Sequence, residues 1–326
     1  MADLSTGRCI GRLRHIIDSE IKPLITDSYY LADAPYYHNI GDVLIWQGVC
    51  DFCKTLPGKN LGTSNIATFL FPDLPSDTTI LLMGGGNFGD LWRKFQNFRL
   101  EVVRRYSHNR IVMFPQSIWY EDKSLILHDK AVFSTHHDLH LCARDQISYD
   151  FMKENFPECD IILVPDMAFF IDKALLQKYQ RKTKPGRKLY LRRLDKEFDE
   201  DTSLKLDNQD YEVHDWPSFE KKDMFIWLSE RLQGLSYRTR YSQLLSSAAA
   251  QLADSFSQIA IRHRLVRKGM SFLAPYSEIV TTRLHTMILA TLLGKKVEFI
   301  DNTTGKLSAF AETWLSDLNS VTKHQH

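Results

Sequence analysis

The chain has 326 residues, 44% hydrophobic and 25% charged, with a formal net charge of +1 and a pI near 7.7. That balance suits one large or two ordinary folded domains and excludes a disordered chain. It also excludes the overall positive field that would announce a nucleic-acid partner.

In chain order, "MADLSTGRCIGRLRHIIDSE" reads as an amphipathic helix. It lacks the continuous apolar core and small-residue cleavage pattern of a signal peptide, so a cytoplasmic location is expected. Alternation of strand-like and helix-like patterns then begins. "YYLAD" leads to the helical "DVLIWQGVCDFCKTL", and "TTILLM" precedes a glycine cluster and "FQNFRLEVVRRYS". "RIVMFP" leads to "EDKSLILHDKAVFS", "LHLCARD" to "QISYDFMKENF", and "DIILVPD" closes the series. Such alternation argues for a parallel sheet covered on both faces.

The polar, basic "QKYQRKTKPGRK" at 177–188 reads as a linker. A second series follows: "KLYLRRLD", acidic loops over 195–210, "DYEVHD", the long helical "YSQLLSSAAAQLADSFSQIAIRHRLVRKG", "SEIVTT", "RLHTMILATLLG" and "KKVEFID". The expected class is α/β: two Rossmann-like, doubly wound parallel-sheet domains, 1–180 and 181–326, facing a cleft. The last helix is able to pack back on the first domain. Ligands of such sheets bind at the carboxyl ends of the strands. No apolar run, "MILATLLG" included, is long enough to cross a bilayer. Of the five cysteines, Cys50 and Cys53 form C-x-x-C, but no second pair completes a zinc set, so they read as thiols on a helix's inner face. No metal is expected.

"ILLMGGGNFGDLW" places Gly84, Gly86 and Gly89 in a G-x-G-x-x-G pattern after an apolar strand. A dinucleotide site is nevertheless not expected. The motif does not open the first strand–helix unit, and the next strand ends in Pro115-Gln116-Ser117 with no ribose-binding acid. What remains is a backbone, around Gly85, Gly86 and Asn87, able to approach a ligand closely and offer N–H groups at a helix start. Asp90 in that turn would repel phosphate unless it orients a sugar hydroxyl. In "NIGD", Asn39 to Asp42, Asp42 is either a helix N-cap or a group that orients or deprotonates a hydroxyl.

In "EIVTTRLH" a strand turns into a helix with Arg283 and His285 in the first turn. Cations there oppose the helix dipole, and an anionic phosphate or carboxylate would resolve the excess positive charge.

The combination "NIGD", "GGGNFGDLW", "FPQSI", "HDLHLCARD", "VPDMAFF", "LYLRRLD", "TTRLH" and "DNTTGK" resembles the polysaccharide pyruvyltransferase family, in family order from residue 39 to 306. The resemblance implies a GT-B-like pair of domains with the active site between them. It implies transfer of the enolpyruvyl group of phosphoenolpyruvate, a co-substrate rather than a cofactor, onto two hydroxyls of one sugar. The product is a cyclic pyruvate ketal, in bacterial exopolysaccharide or capsule synthesis. The acceptor sugar would be free or lipid-linked.

By this resemblance Arg283, in Arg283-Leu284-His285, and Arg192 would grip the donor's two anions. Arg193 is the register neighbour of Arg192, and strand alternation sends the two to opposite faces. His285 is the first choice of general acid and His137 the second, with His136 and His140 close by; Asp42 or Asp90 would handle the acceptor. Gln116 and Ser117, at a strand end, would contact ligand. Lys306 would reach the phosphate or cap the cleft. Arg144 with Asp145 is a ligand contact or a buried ion pair, and Asp166 divides the same way. The basic run "IRHRLVRK" (261–268) reads as a solvated helix face, or else a contact to anionic lipid. Rival functions are a GT-B glycosyltransferase using a nucleotide sugar and a non-catalytic sugar- or phosphate-binding protein.

Overall fold

The computed structural model describes residues 4–193, 210–220, 223–239, 241–301 and 305–324. All but one residue of the acidic stretch 195–210, and residues 302–304 of "DNTTGK", lie outside the described residues.

After helix α1 (Leu4–Ile21), the first lobe is a sheet of β1 (Tyr29–Ala32), β2 (Asn60–Thr63), β3 (Thr79–Leu82), β4 (Gly85–Gly89), β5 (Ile111–Trp119), β6 (Leu139–Ala143) and β7 (Asp160–Leu163). The spatial order is β2-β1-β3-β5-β6-β7, every pairing is parallel, and β4 lies beside the outer half of β5. Alternation along the strands divides the side chains. Leu31, Leu81, Val112 and Phe114 enter one apolar core, while Ile80, Leu82, Ile111 and Met113 enter another on the opposite face. Helices α3 (Arg93–Arg105), α4 (Ser124–Phe133) and α5 (Gln146–Asn155) serve this lobe, and α6 (Lys173–Gln180) leads out of it.

The second lobe is a five-stranded, all-parallel sheet of β8 (Lys188–Leu191), β9 (Tyr211–His214), β10 (Glu278–Thr281), β11 (Lys296–Phe299) and β12 (Val321–Lys323), in the order β12-β11-β10-β8-β9. Its described helices are the one-turn α7 (Pro217–Glu220), α8 (Met224–Arg238), α9 (Gln243–Phe256), α10 (His263–Leu273), α11 (Leu284–Leu292) and α12 (Lys306–Trp314). The long helical pattern over 241–269 is interrupted by a π-helical turn, Ser257–Arg262, between α9 and α10. Among the described residues no helix is long and apolar enough to cross a membrane.

Helix α2 (Ile40–Cys53) lies between the lobes, buried along most of its length, against the Met167–Phe170 turn, α10 and α11. The larger apolar core continues through it, from Leu13 and Phe114 in the first lobe to Leu265, Ile288 and Phe310 in the second. Helix α12 packs back on the first lobe: Phe310 stacks on Phe169 at 6.1 Å, and the Trp314 indole donates to the Arg144 carbonyl at 2.7 Å.

The glycine stretch departs from the expected strand–turn–helix. Gly85–Gly89 is itself a strand, with Gly85 opposite Gln116 and Gly89 opposite Trp119, and α3 begins only at Arg93. Its N–H groups serve a sheet edge, not a helix start.

Candidate active site

Between the lobes lies a cavity of about 900 Å³. Its polar lining comes from the carboxyl ends of the parallel strands and the helix starts that follow them, where the loops of such sheets converge. The first lobe contributes Tyr37, Asn39, Gly41 and Asp42 after β1, Gly86 and Asn87 in β4, Trp92 and Lys94 beyond it, and Arg144 after β6. The second contributes Arg193 after β8, Trp216 and Phe219 after β9, Arg283, Leu284 and His285 after β10, and Lys306 after β11.

Asn39 is the N-cap of α2: its Oδ1 accepts from the Gly41 N–H at 3.0 Å. Asp42 is therefore released from capping. Its Oδ2 accepts from Tyr37 Oη and Asn39 Nδ2, both at 2.9 Å, which fixes the carboxylate at the cavity wall. Gly41 matters by what it lacks. A Cβ there would stand 2.7 Å from His285 Nδ1, so only glycine lets the imidazole seat against α2. Gly86 plays the same part for cations, since a Cβ there would lie 3.1 Å from Arg144 Nη2 and 3.6 Å from Lys306 Nζ. Asn87 is oriented from behind by the buried Arg99, which donates to its Oδ1 at 2.7 Å.

His285 Nε2 lies 3.4 Å from Asp166 Oδ2, which also accepts from Arg144 Nη1 at 3.1 Å. Burial pushes the Asp166 carboxyl up, but the His285 hydrogen bond and charge, the Arg144 charge and the Ala168 N–H outweigh it and hold its pKa below the usual range. Arg144 Nε in turn donates to Ser117 Oγ at 2.7 Å. A buried polar chain, Ser117–Arg144–Asp166–His285, thus joins the two lobes beneath the cavity floor. Arg144 is both a lining residue and half of an ion pair, though its carboxylate is Asp166 rather than Asp145, which caps α5.

Arg283 lines the cavity and forms a two-point fork with Asp215, Nε to Oδ1 at 2.6 Å and Nη2 to Oδ2 at 2.7 Å. Its guanidinium also covers the Phe219 ring at 4.9 Å. The positive charge at the start of α11 is thus met by protein carboxylates, Asp215 for Arg283 and Asp166 for His285. Asp215 was not singled out from the sequence, where the paired cations in "RLH" were read as awaiting a bound anion.

Several expected site residues are placed elsewhere. His137 is exposed just before β6, at the amino edge of the sheet, because residues that precede a parallel strand lie opposite those that follow it. Its neighbours are there too, His140 held by Asp138 and Asp160 and His136 bonded to the Tyr106 carbonyl. Arg193, not Arg192, lines the cavity, as one step of alternation at the end of β8 requires. Asp90 does not line it; its Oδ2 accepts from the backbone N–H groups of Glu121 and Asp122 at 2.8 and 2.7 Å, pinning the loop after β5. Gln116 is buried with its amide on the Met83 carbonyl, Ser117 supports Arg144, and Gly85 is buried in the sheet, so all three stand behind the lining.

The family model for polysaccharide pyruvyl transferase matches residues 39–304, most of the chain. The chain belongs to that family. The pyruvyl transferase family and the names of its relatives make it a transferase. It is 29% identical over 296 residues to the Bacillus subtilis protein named pyruvyl transferase EpsO, covering 90% of this chain and 88% of the relative. It is also 29% identical to pyruvyl transferase 1 of Schizosaccharomyces pombe, over 76% of this chain but 57% of that protein. A crystal structure of a functionally uncharacterised Klebsiella pneumoniae protein superposes with a TM-score of 0.60 at 20% identity, covering 96% of this chain and 99% of the other. That likeness bears on the fold, the Rossmann-like, GT-B-like pair of parallel-sheet lobes.

Proposed function

We propose that this pyruvyl transferase moves the enolpyruvyl group of phosphoenolpyruvate onto two hydroxyls of one sugar, giving a cyclic pyruvate ketal and inorganic phosphate. The observation that carries the reading is charge. Lys94, Arg144, Arg193, Arg283 and Lys306 line the cavity beside His285; Asp166 and Asp215 fix Arg144 and Arg283 from behind, and among the described residues the acids in the lining are Asp42 and Glu230. A donor with a carboxylate and a phosphate neutralises such a surface, and fixed cations in a partly closed site stabilise departing phosphate.

In this reading His285 protonates the methylene carbon of the donor, leaving an oxygen-stabilised cation at the adjacent carbon. A sugar hydroxyl adds there and gives its proton to Asp42. Phosphate then leaves with its bonding electron pair, held by Arg193, Lys306 and the Asp215-anchored Arg283. The second hydroxyl adds to the renewed cation and closes the ring, its proton restoring His285, while the proton held by Asp42 passes to the released phosphate. Asp166 holds the imidazole in place, its Oδ2 3.4 Å from Nε2. Trp92 offers a face for the apolar side of a sugar ring. The acceptor belongs to an exopolysaccharide or capsule precursor, and the reaction to the cytoplasmic side of the membrane.

The test is phosphate release from phosphoenolpyruvate, assayed with and without a panel of oligosaccharides. The expected result is release that requires an acceptor, together with a sugar product heavier by one ketal-linked pyruvate. Consumption of a nucleotide sugar by the same preparation, with phosphoenolpyruvate untouched, would overturn it.

A further inference from the structure

Helices α8 and α9 lie against each other on the second lobe with their side chains inverted relative to a buried hairpin. Apart from Ile226, the buried positions are small groups: Ser229 and Ser236 on one helix, Ser246, Ala249, Ala250 and Ala253 on the other. Large apolar side chains point outward instead. Met224 is 72% exposed, Trp227 55%, Leu244 80%, Leu252 56%, and Ile259 in the following turn 71%. Exposed apolar side chains concentrated on one pair of helices mark a surface that leaves water in the working state.

The exposed charges along the outer face of α8 are mainly positive, with Glu230 exposed at its border with the cavity. Arg231 covers the Trp227 ring at 5.1 Å, Arg238 is exposed at the last position of α8, and Arg267 is exposed on α10. Arg264 there is paired with Asp223, and Glu230 is turned to the cavity. The whole chain carries a formal charge of only +1, so this concentration is local. Aromatic residues Trp227, Tyr237 and Tyr241 complete the set of side chains that sit at the boundary between lipid and water.

We propose that the outer face of the α8–α9 hairpin docks on the surface of an anionic phospholipid bilayer. The apolar side chains enter the headgroup boundary while Arg231, Arg238 and Arg267 meet lipid phosphates. A second copy of the chain is the weaker occupant, because a two-fold contact through this face would bring Arg231 and Arg238 toward their own counterparts. Glu230 lines the cavity next to Arg231, so docking brings the mouth of the cavity to the membrane. In this last respect alone the inference rests on the pyruvyl-transfer reading: a lipid-linked sugar would reach the cavity without leaving the bilayer.

Flotation of the full chain with vesicles tests it. The protein is expected to float with vesicles of phosphatidylglycerol and phosphatidylcholine, much less with phosphatidylcholine alone, and less again as salt is added. Leu244→Glu with Leu252→Glu should lower bound protein about tenfold, with melting temperature and phosphate release toward a water-soluble acceptor unchanged. Arg231→Glu with Arg238→Glu should remove the preference for anionic lipid. Failure to float on anionic vesicles overturns the proposal. So does a wild-type dimer that the leucine variant converts to monomer while lipid has no effect. The vesicle measurement uses no phosphoenolpyruvate, so its outcome stands whatever the transfer assay gives.

Discussion

His285 and Asp166 come from different lobes, the first in the opening turn of α11 and the second just beyond β7, and meet at 3.4 Å. Asp166→Asn keeps an oxygen for the Ala168 N–H but gives up the carboxylate that orients the imidazole and faces Arg144. Phosphate release should fall about 100-fold in kcat, as for loss of a supported general acid. Stability should drop by about 3 kcal/mol as Arg144 loses its carboxylate. Steady-state kinetics at a temperature where circular dichroism shows the variant folded separates the two effects; unchanged kcat would remove His285 from the acid role.

Gly41→Ala inserts a methyl group 2.7 Å from His285 Nδ1, closer than any real contact, yet at a helical position that favours alanine by roughly 0.5–1 kcal/mol. The ring, which borders the cavity, yields more readily than the helix. Activity should fall about 10- to 100-fold while the melting temperature holds or rises. A large loss of stability would show that the clash is relieved through the backbone instead.

Arg193→Ala should raise KM for phosphoenolpyruvate by about 10- to 100-fold, the worth of one charge-assisted contact. Arg192→Ala should change it less than about threefold. Equal effects from the two would mean that the end of β8 presents both side chains to the donor.

Asp254, on α9, accepts from Ser64 Oγ at 2.9 Å and Thr68 Oγ1 at 2.6 Å across the lobes. Burial raises its pKa from the ordinary 3.8 to about 6, against hydrogen bonds from Thr68, Ser64 and Tyr36 that lower it. Because the folded value lies above the unfolded one, its contribution is fully present below pH 3.8 and is lost as pH rises through about 6. Denaturation of wild type and Asp254→Asn at a series of pH values should therefore show wild type losing about 1–2 kcal/mol relative to the variant between pH 4 and 7. Parallel pH curves would mean that the carboxyl is ionised throughout.

Much of the fold was legible because parallel strands buried on both faces read as continuous apolar runs, as in "TILL" and "IVMF". The β4 strand was not, since Gly85–Gly89 carries almost no side-chain pattern and is a strand only by virtue of its neighbour β5. Helix α8 was missed because apolar residues such as Trp227 and Leu235 face outward while serines face in, which erases the usual amphipathic stripe. At the site, the rule that loops converge at strand carboxyl ends brings Asn39, Asp42, Arg144, Arg283 and His285 to one cavity. It was set aside for His137, chosen for its family-like place in "HDLHLCARD" although that place precedes a strand. Arg192 and Arg193 differ by one pleat, which no composition distinguishes. Asp215 pairs with Arg283 across 68 positions of chain, and nothing local to either residue announces the partner.

The Trp314 indole bonded to the Arg144 carbonyl ties the far end of the polypeptide to a residue at the heart of the cavity. A GT-B-like enzyme is often imagined as a pair of jaws that swing apart between turnovers. Here the tail fastens one jaw to the other, and α2 fills the pivot with packed hydrocarbon. Any opening of the lobes must break that bond and part the packing around α2, and unfolding should run as a single event in which neither half survives the loss of the other.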